Sequence, residues 1–250
     1  VSRFAGRTVL VTGASSGLGR ATAERVASEG GRVLLVARDG GRLEQVRGSL
    51  PGSDHVARTC DVTDEVALTA LVTELKELGG EVHGVFHAAG IHWLRPLQLT
   101  DATSLKAMLE SHVVSSFALT RALVQKRLTA KQGCSMVWMT SAAALRGGAG
   151  ASAYAAAKGA LVAAVRALAN ELVRRAIRVN AIAAGVVRTP QSEAWLGQLT
   201  AEQLQAVEVG HLLGIGTPQQ IAAVAAFLLS DDAAWITGTT LVADGGLTAH

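Results

Sequence analysis

Seven short runs of aliphatic and β-branched residues, Thr8 to Thr12, Val33 to Ala37, Val56 to Asp61, Val82 to His87, Ser135 to Ser141, Ile177 to Ile182 and Thr240 to Val242, recur along the chain between helical patterns. Arg20 to Glu29, Glu65 to Leu78, Ser104 to Arg127, Ala153 to Arg175 and Gln219 to Leu229 carry apolar residues at helical spacing. Strands alternating in this way with helices read as a βαβ repeat, for which a parallel sheet covered on both faces is expected. The expected fold class is therefore α/β: a doubly wound parallel sheet of about seven strands with helices on both faces, in a single domain over residues 1–250. One stretch breaks the rhythm. From Thr189 to Gly216, Pro190, scattered polar residues and short helical patterns replace a strand, and a segment this long inside a compact domain is expected to be a substrate lid.

The composition suits that architecture. Mean hydropathy is +0.32, 17% of residues are charged and there are 27 glycines, the profile of a tightly packed globule with many short turns. Apolar runs are too short to span a membrane, and the amino terminus lacks the apolar region of a signal peptide, so a cytoplasmic enzyme with no membrane partner is expected. The net charge of +3 and pI near 9.2 permit an acidic or phosphorylated ligand. There is no basic tract with interleaved aromatics, so nucleic acid is not an expected partner. Cys60 and Cys134 read as small core residues rather than a disulfide, and no metal site is expected.

Directly after the first run comes Thr12-Gly13-Ala14-Ser15-Ser16-Gly17-Leu18-Gly19, which opens the first helix. Glycines there let the backbone turn tightly and approach a pyrophosphate, while the helix amino terminus offers unpaired N–H groups and the positive end of its dipole. The lysine that follows the last glycine of an ATP- or GTP-binding loop is missing. A Rossmann-type dinucleotide site is the expectation, with Gly13, Ser15, Ser16, Gly17, Leu18 and Gly19 at the phosphates. The second run ends Val36-Ala37-Arg38-Asp39, with no carboxylate at its last apolar position to bind the ribose 2′-hydroxyl of NAD. Arg38 offers a guanidinium fork for a 2′-phosphate and Ser15 a hydroxyl, favouring NADP(H) over NAD(H). Asp39 leaves an alternative: it pairs with Arg38 at the surface, or accepts a ribose hydrogen bond in an NAD enzyme.

Tyr154 is the only tyrosine in the chain, and Lys158 follows it by four residues. On a helix the two share a face. An ammonium beside a phenol favours phenolate and is expected to pull the tyrosine down from about 10 towards neutrality, where it can exchange a proton with a substrate. The plain alternative is a buried aromatic beside a snorkelling lysine.

Taken together, the glycine loop, Asp61-Val62, Ala88-Ala89-Gly90, Ser141, Tyr154 and Lys158, Arg178-Val179-Asn180, the Gly185 to Pro190 segment and Asp244-Gly245-Gly246 fall in the order of the short-chain dehydrogenase/reductase family, which the chain resembles from about Gly6 to Gly246. The resemblance implies a catalytic domain in which Asp61 and Val62 contact the adenine, Ala89 and Gly90 lie along the cofactor, and Val187 and Thr189 meet the nicotinamide carboxamide and pyrophosphate. It implies that Tyr154 exchanges the proton, Lys158 holds the nicotinamide ribose, and Ser141 hydrogen-bonds the substrate oxygen. A homotetramer or homodimer through the helices at 104–127 and 153–175 and the last strand is implied by the same analogy.

Two positions depart from the family pattern. His112 stands where an asparagine usually loosens a helix and helps hold a proton-relaying water. Either the imidazole takes over the relay or meets the substrate, or it is a tolerated core residue. His87-Ala88-Ala89-Gly90 replaces Asn-Asn-Ala-Gly, so Ala88 cannot tie neighbouring strands, a loss of stability more than of chemistry. His87 reads as a strand-end residue or a cofactor neighbour. His92, Trp93 and Trp195 are candidates for the substrate wall. Ser152 to Gly159 and the terminal Asp-Gly-Gly resemble β-ketoacyl-carrier-protein reductases most, and in those enzymes basic residues at the rim of the site, matching Lys131 and Arg175 here, meet the acidic carrier. The expected activity is NADP(H)-dependent reduction of a ketone, with a β-ketoacyl thioester as one candidate, to a secondary alcohol. The alternatives are NAD-dependent oxidation of a secondary alcohol, or a non-catalytic nucleotide-binding protein.

Overall fold

A computed structural model describes residues 2–78 and 80–249. In chain order it contains β1 (Thr8–Thr12), α1 (Gly17–Ser28), β2 (Arg32–Ala37), α2 (Gly40–Ser49), β3 (Val56–Thr59), α3 (Glu65–Glu77), β4 (Gly84–His87), α4 (Ala102–Leu109), α5 (Ser115–Gln125), β5 (Cys134–Ser141), α6 (Ser152–Leu172), β6 (Ile177–Ala184), α7 (Pro190–Leu196), α8 (Ala201–Gly210), α9 (Pro218–Leu229) and β7 (Thr240–Ala243). The seven strands form one sheet in the order β3-β2-β1-β4-β5-β6-β7, every pair parallel. Chain direction across the sheet reverses between β1 and β4. There the crossovers go to opposite faces and open a crevice at the strands' carboxyl ends.

Each face buries its own core. Val9, Val11, Val33, Leu35 and Phe86 point to the side covered by α1, α2 and α9, while Leu10, Leu34, Val85, Met136 and Trp138 point to the side covered by α3, α5 and α6. Central strands buried on both faces explain the unbroken apolar runs in the sequence. Cys60 and Cys134 are both buried and unpaired in the second of these cores. No helix is long and apolar enough to cross a membrane, among the described residues.

Differences from the expected elements have local causes. The helix over Gly40–Ser49 went unmarked because it opens on Gly40-Gly41 and buries only Leu43 and Val46. Asp39 starts it by accepting the Arg42 backbone N–H at 2.9 Å. The single helix expected from Ser104 to Arg127 is instead α4 and α5 joined by a π-helical turn over Glu110–Val114. Within and just after that turn, Ser115 and Ser116 return their hydroxyls to the carbonyls of Ser111 and His112 at 2.7 and 2.6 Å. Such back-bonding bends helices, and π-turns of this kind collect at functional sites.

The Arg178-Val179-Asn180 string is a structural fastener. Arg178 donates to the carbonyls of Leu228, Ser230 and Ile236, and Asn180 donates to Ile236 and accepts the Thr239 N–H. Together they pin the connection from α9 to β7 against β6. Replacing the fully buried Asn180 by Ala leaves the Thr239 N–H unpaired, and a loss of about 1–3 kcal/mol in chemical denaturation is expected.

Candidate active site

A cavity of about 980 Å³ runs along the carboxyl edge of the sheet. Every residue expected in the site lines it except Trp93. At one end lies the β1–α1 turn. Gly13 has φ +67°, and a Cβ there would press on the Ala88–Ala89 peptide at 3.1 Å; a Cβ on Gly19 would lie 2.2 Å from the Gly13 carbonyl oxygen. Turn and helix are thus interlocked at a distance that only glycine permits. Ser16 precedes α1 without capping it through its side chain, so the first-turn N–H groups face the cleft. This cradle fits a pyrophosphate.

At the end of β2, Arg38 lines the cleft and makes no hydrogen bond or ion pair among the described residues. Asp39 does not pair with it: its carboxylate caps α2 and binds Arg42, whose Nε lies 2.5 Å away, and these bonds hold its pKa below the usual range. Arg42 also lines the cleft, a second cation that the sequence reading missed. Asp61 accepts the Thr63 N–H and hydroxyl at 3.0 and 2.7 Å, which lower its pKa and fix its orientation beside Val62.

The other end is built from β5 and α6. Ser141 ends β5, and its hydroxyl accepts the Ala143 N–H at 3.1 Å while facing the Ala184 carbonyl at 3.5 Å. Tyr154 and Lys158 share one face of α6, with Lys158 Nζ 5.6 Å from the centre of the Tyr154 ring. The expected electrostatics are corrected here. Burial pushes the Tyr154 phenol up to about 12, against a smaller lowering by hydrogen bonding with Ser141, and the same burial pushes Lys158 down to about 7. Both groups lose solvation together, so each favours its neutral form. Lys158 is held in place by donating from Nζ to the Met139 carbonyl at 2.8 Å.

His87 and His112 link this end to the π-turn. Because the Ser115 hydroxyl donates to the Ser111 carbonyl, His87 Nε2 must be the donor in its 3.2 Å bond to Ser115. His87 Nδ1 is then the acceptor from the Thr12 hydroxyl at 2.8 Å, and Thr12 in turn accepts the Ala89 N–H. The chain of bonds runs unbroken from the segment after β4 to the π-turn. The tie that Ala88 cannot make is made by His87, so the expected loss is replaced rather than suffered. His112 donates from Nε2 to the Ile91 carbonyl at 2.7 Å, Ser111 accepts the Ile91 N–H at 3.1 Å, and a Cβ on Gly90 would collide with the imidazole at 2.2 Å. Burial, with the Lys158 charge adding to it, pushes His87 to about 3 and His112 to about 2. A relay that works by protonating His112 near neutral pH does not suit this geometry, since its one ring proton is fixed towards a carbonyl.

Over the tyrosine stand His92, its ring centre 5.0 Å from that of Tyr154, and Trp195, 6.1 Å from His92; both contacts are edge-to-face. Trp93 turns away from the cleft and lies under the Arg95 guanidinium at 5.0 Å, which corrects its assignment to the wall. Trp195 comes from α7, inside the stretch that follows β6. That stretch is closed at its base by hydrogen bonds between Gly216 and both Val186 and Arg188, and by His211, which accepts the Val186 N–H and donates to the Val207 carbonyl. Val187 and Thr189 lie at this base, with Thr189 capping α7. Lys131 and Arg175 are not at the rim. They precede β5 and β6, whereas Ser141 and Ala184 end those strands, so about 25 Å of strand separates the two sites within one chain.

Comparison with known proteins agrees with this geometry. A family model described as enoyl-(acyl carrier protein) reductase matches residues 13–248. A levodione reductase of Leifsonia aquatica is 36% identical over 260 residues, covering 99% of this chain and 96% of the relative. A 3-oxoacyl-(acyl-carrier-protein) reductase of Escherichia coli is 32% identical over 244 residues, covering 98% of both. Among solved structures, a short-chain dehydrogenase/reductase described as glucose/ribitol dehydrogenase, from Brucella melitensis, superposes with a TM-score of 0.90 at 29% identity, covering 98% of each chain.

The neutral histidines set an acid limit. Their folded pKa values lie below the unfolded value near 6.5, so as pH falls below 6.5 the unfolded chain binds protons that the fold refuses, and stability drops by about 1.4 kcal/mol per pH unit for each such histidine until the folded pKa is reached. His112→Asn is expected to flatten the fall in stability between pH 6.5 and 4, measured by denaturant titration at each pH.

Proposed function

The chain belongs to the short-chain dehydrogenase/reductase family, an NAD(P)-dependent group of oxidoreductases acting on ketones and alcohols, and from the cleft we propose that it reduces a ketone to a secondary alcohol with NADPH. The observation that carries this reading is the Tyr154 phenol standing in the cleft with Ser141 and Lys158, where burial pushes its pKa up to about 12. Reduction needs a proton donor at the substrate oxygen, and this tyrosine keeps its proton throughout the neutral range.

The cofactor, when bound, supplies the hydride. The protein's part is to bind, orient and protonate. Gly13 to Gly19 would hold the pyrophosphate, Asp61 and Val62 the adenine, and Ala89, Gly90, Val187 and Thr189 the remainder of the dinucleotide, with Tyr154 and Lys158 at the nicotinamide ribose. Ser141, whose bond to Ala184 is long and weak, has a hydroxyl to spare for the carbonyl oxygen, where it and the Tyr154 O–H meet the developing negative charge. Lys158, with a pKa near 7, exchanges its proton in the range where Tyr154 must be recharged, and its contact with the Met139 carbonyl fixes where that proton sits.

Preference for NADPH rests on Arg38, which has no side-chain partner among the described residues while Asp39 is occupied by α2 and Arg42. A guanidinium meets a 2′-phosphate in a bidentate fork. For the substrate, we favour a free small ketone over a carrier-bound thioester, because Lys131 and Arg175 stand at the far end of the sheet from Tyr154 of the same chain. The segment over residues 189–216 serves as the lid, bringing Trp195 over the tyrosine, and the protein assembles as a homotetramer or homodimer through the helical stretches over 104–127 and 153–175 and β7.

Tyr154→Phe is expected to lower kcat for NADPH-dependent ketone reduction at least about a hundredfold with little change in cofactor affinity. Tight cofactor binding by the unaltered protein, without turnover on ketoacyl thioesters, cyclic ketones or quinones, would instead identify a non-catalytic family member. Arg38→Ala is expected to weaken NADPH binding about tenfold or more, read by nicotinamide fluorescence, and to leave NADH binding nearly unchanged. Equal weakening of both would remove the basis for NADP preference and return the NAD-linked alcohol dehydrogenase.

A further inference from the structure

Histidine in this protein is mostly a fastener. Of the six histidines among the described residues, five hydrogen-bond to backbone or hydroxyl groups: His55 to Val33 N and Pro51 O, His83 to Thr8 N, and His87, His112 and His211 as described above. His92 is the exception. Neither of its ring nitrogens has a hydrogen-bond partner among the described residues, although the residue is half-buried and lines the cleft. Its ring makes edge-to-face contacts with both Tyr154 and Trp195, the closer being to Tyr154.

The ring nitrogens of His92 are not sealed away from water, so they stay open to the cleft and available to a ligand. Burial and the nearby Lys158 charge lower the pKa of His92, so it presents one N–H donor and one bare nitrogen acceptor. Such an imidazole recognises a hydroxyl or a carbonyl. The position fixes where that group must be: a ketone whose oxygen meets Tyr154 and Ser141 carries its neighbouring carbon towards the ring that packs on Tyr154. Trp195, which packs on the same imidazole and lines the cleft, supplies an apolar wall and keeps the recognised molecule compact.

Resting on the ketone-reductase reading above, we propose that His92 is a specificity-determining residue that hydrogen-bonds a second oxygen on the carbon next to the reacting carbonyl, making α-hydroxyketones and α-diketones the substrate class. The imidazole acts on the molecule being reduced and takes no part in proton transfer. Its donor-and-acceptor character allows it to serve either oxygen, a hydroxyl through the bare nitrogen or a carbonyl through the N–H.

The test compares 2-hydroxycyclohexanone with cyclohexanone as substrates for NADPH oxidation, by the unaltered protein, His92→Phe and His92→Gln. The quantity read is the ratio of kcat/KM for the two ketones within each protein, so that any general effect of a substitution, and the greater intrinsic reactivity of the hydroxyketone, cancels between proteins. The unaltered protein is expected to prefer the hydroxyketone, with His92→Phe lowering the ratio about tenfold and His92→Gln, which keeps a donor and an acceptor, restoring part of it. A ratio equal in the unaltered protein and His92→Phe would overturn the assignment of His92 while leaving the ketone-reductase reading intact. Failure of the unaltered protein to reduce any ketone would overturn both. If His92→Phe does not fold, the same ratio in His92→Gln and His92→Leu decides, the first expected above the second and equality overturning the proposal.

Discussion

All seven strands run the same way, and that constraint organises everything at the cleft. Parallel strands deliver their carboxyl ends to one edge of the sheet, so the glycine turn after β1, Arg38 after β2, the Ala88–Ile91 segment after β4 and Ser141 at the end of β5 are neighbours without being close in sequence. The reversal of strand order between β1 and β4 parts the covering helices there. Lys131 and Arg175 illustrate the converse. They precede β5 and β6, and the same parallel arrangement that gathers the site carries them to the opposite edge.

Burial governs the chemistry at the closed end. It raises Tyr154, lowers Lys158 and keeps His87 and His112 neutral, so that four titratable groups share a small volume with little net charge among them. Neutral histidines can then be used as directed connectors, each with a donor and an acceptor whose roles are set by their neighbours. His87 shows why this matters, because its two ring nitrogens join the β1–β4 edge to the π-turn that carries His112.

Much of this was legible in the sequence. Strand positions, the helices that cover them and the glycine turn followed from periodicity and from the context of Gly13 to Gly19, and the four-residue step from Tyr154 to Lys158 placed both on one face of α6. What escaped depended on contacts between distant residues. Nothing local showed that burial would outweigh the lysine's charge at Tyr154, since desolvation is set by whatever packs around both groups. The replacement of the missing tie at Ala88 by His87 depended on Thr12 and Ser115, and the choice of Arg42 over Arg38 as partner of Asp39 depended on a helix that its paired glycines concealed. Trp93 and His92 are adjacent, yet only His92 lines the cleft, while Trp93 packs under the Arg95 guanidinium.

The bonds at the base of the segment carrying Trp195 bear on the conformational entropy of that segment. Gly216 is joined to Val186 and Arg188, and His211 to Val186 and Val207, so the two ends of this stretch are already brought together in the folded protein. The entropy of joining the ends of a long loop is therefore lost during folding and not at the arrival of a ligand. The stretch between is built from two short helices, α7 and α8, each with its own capping box, about that fixed base.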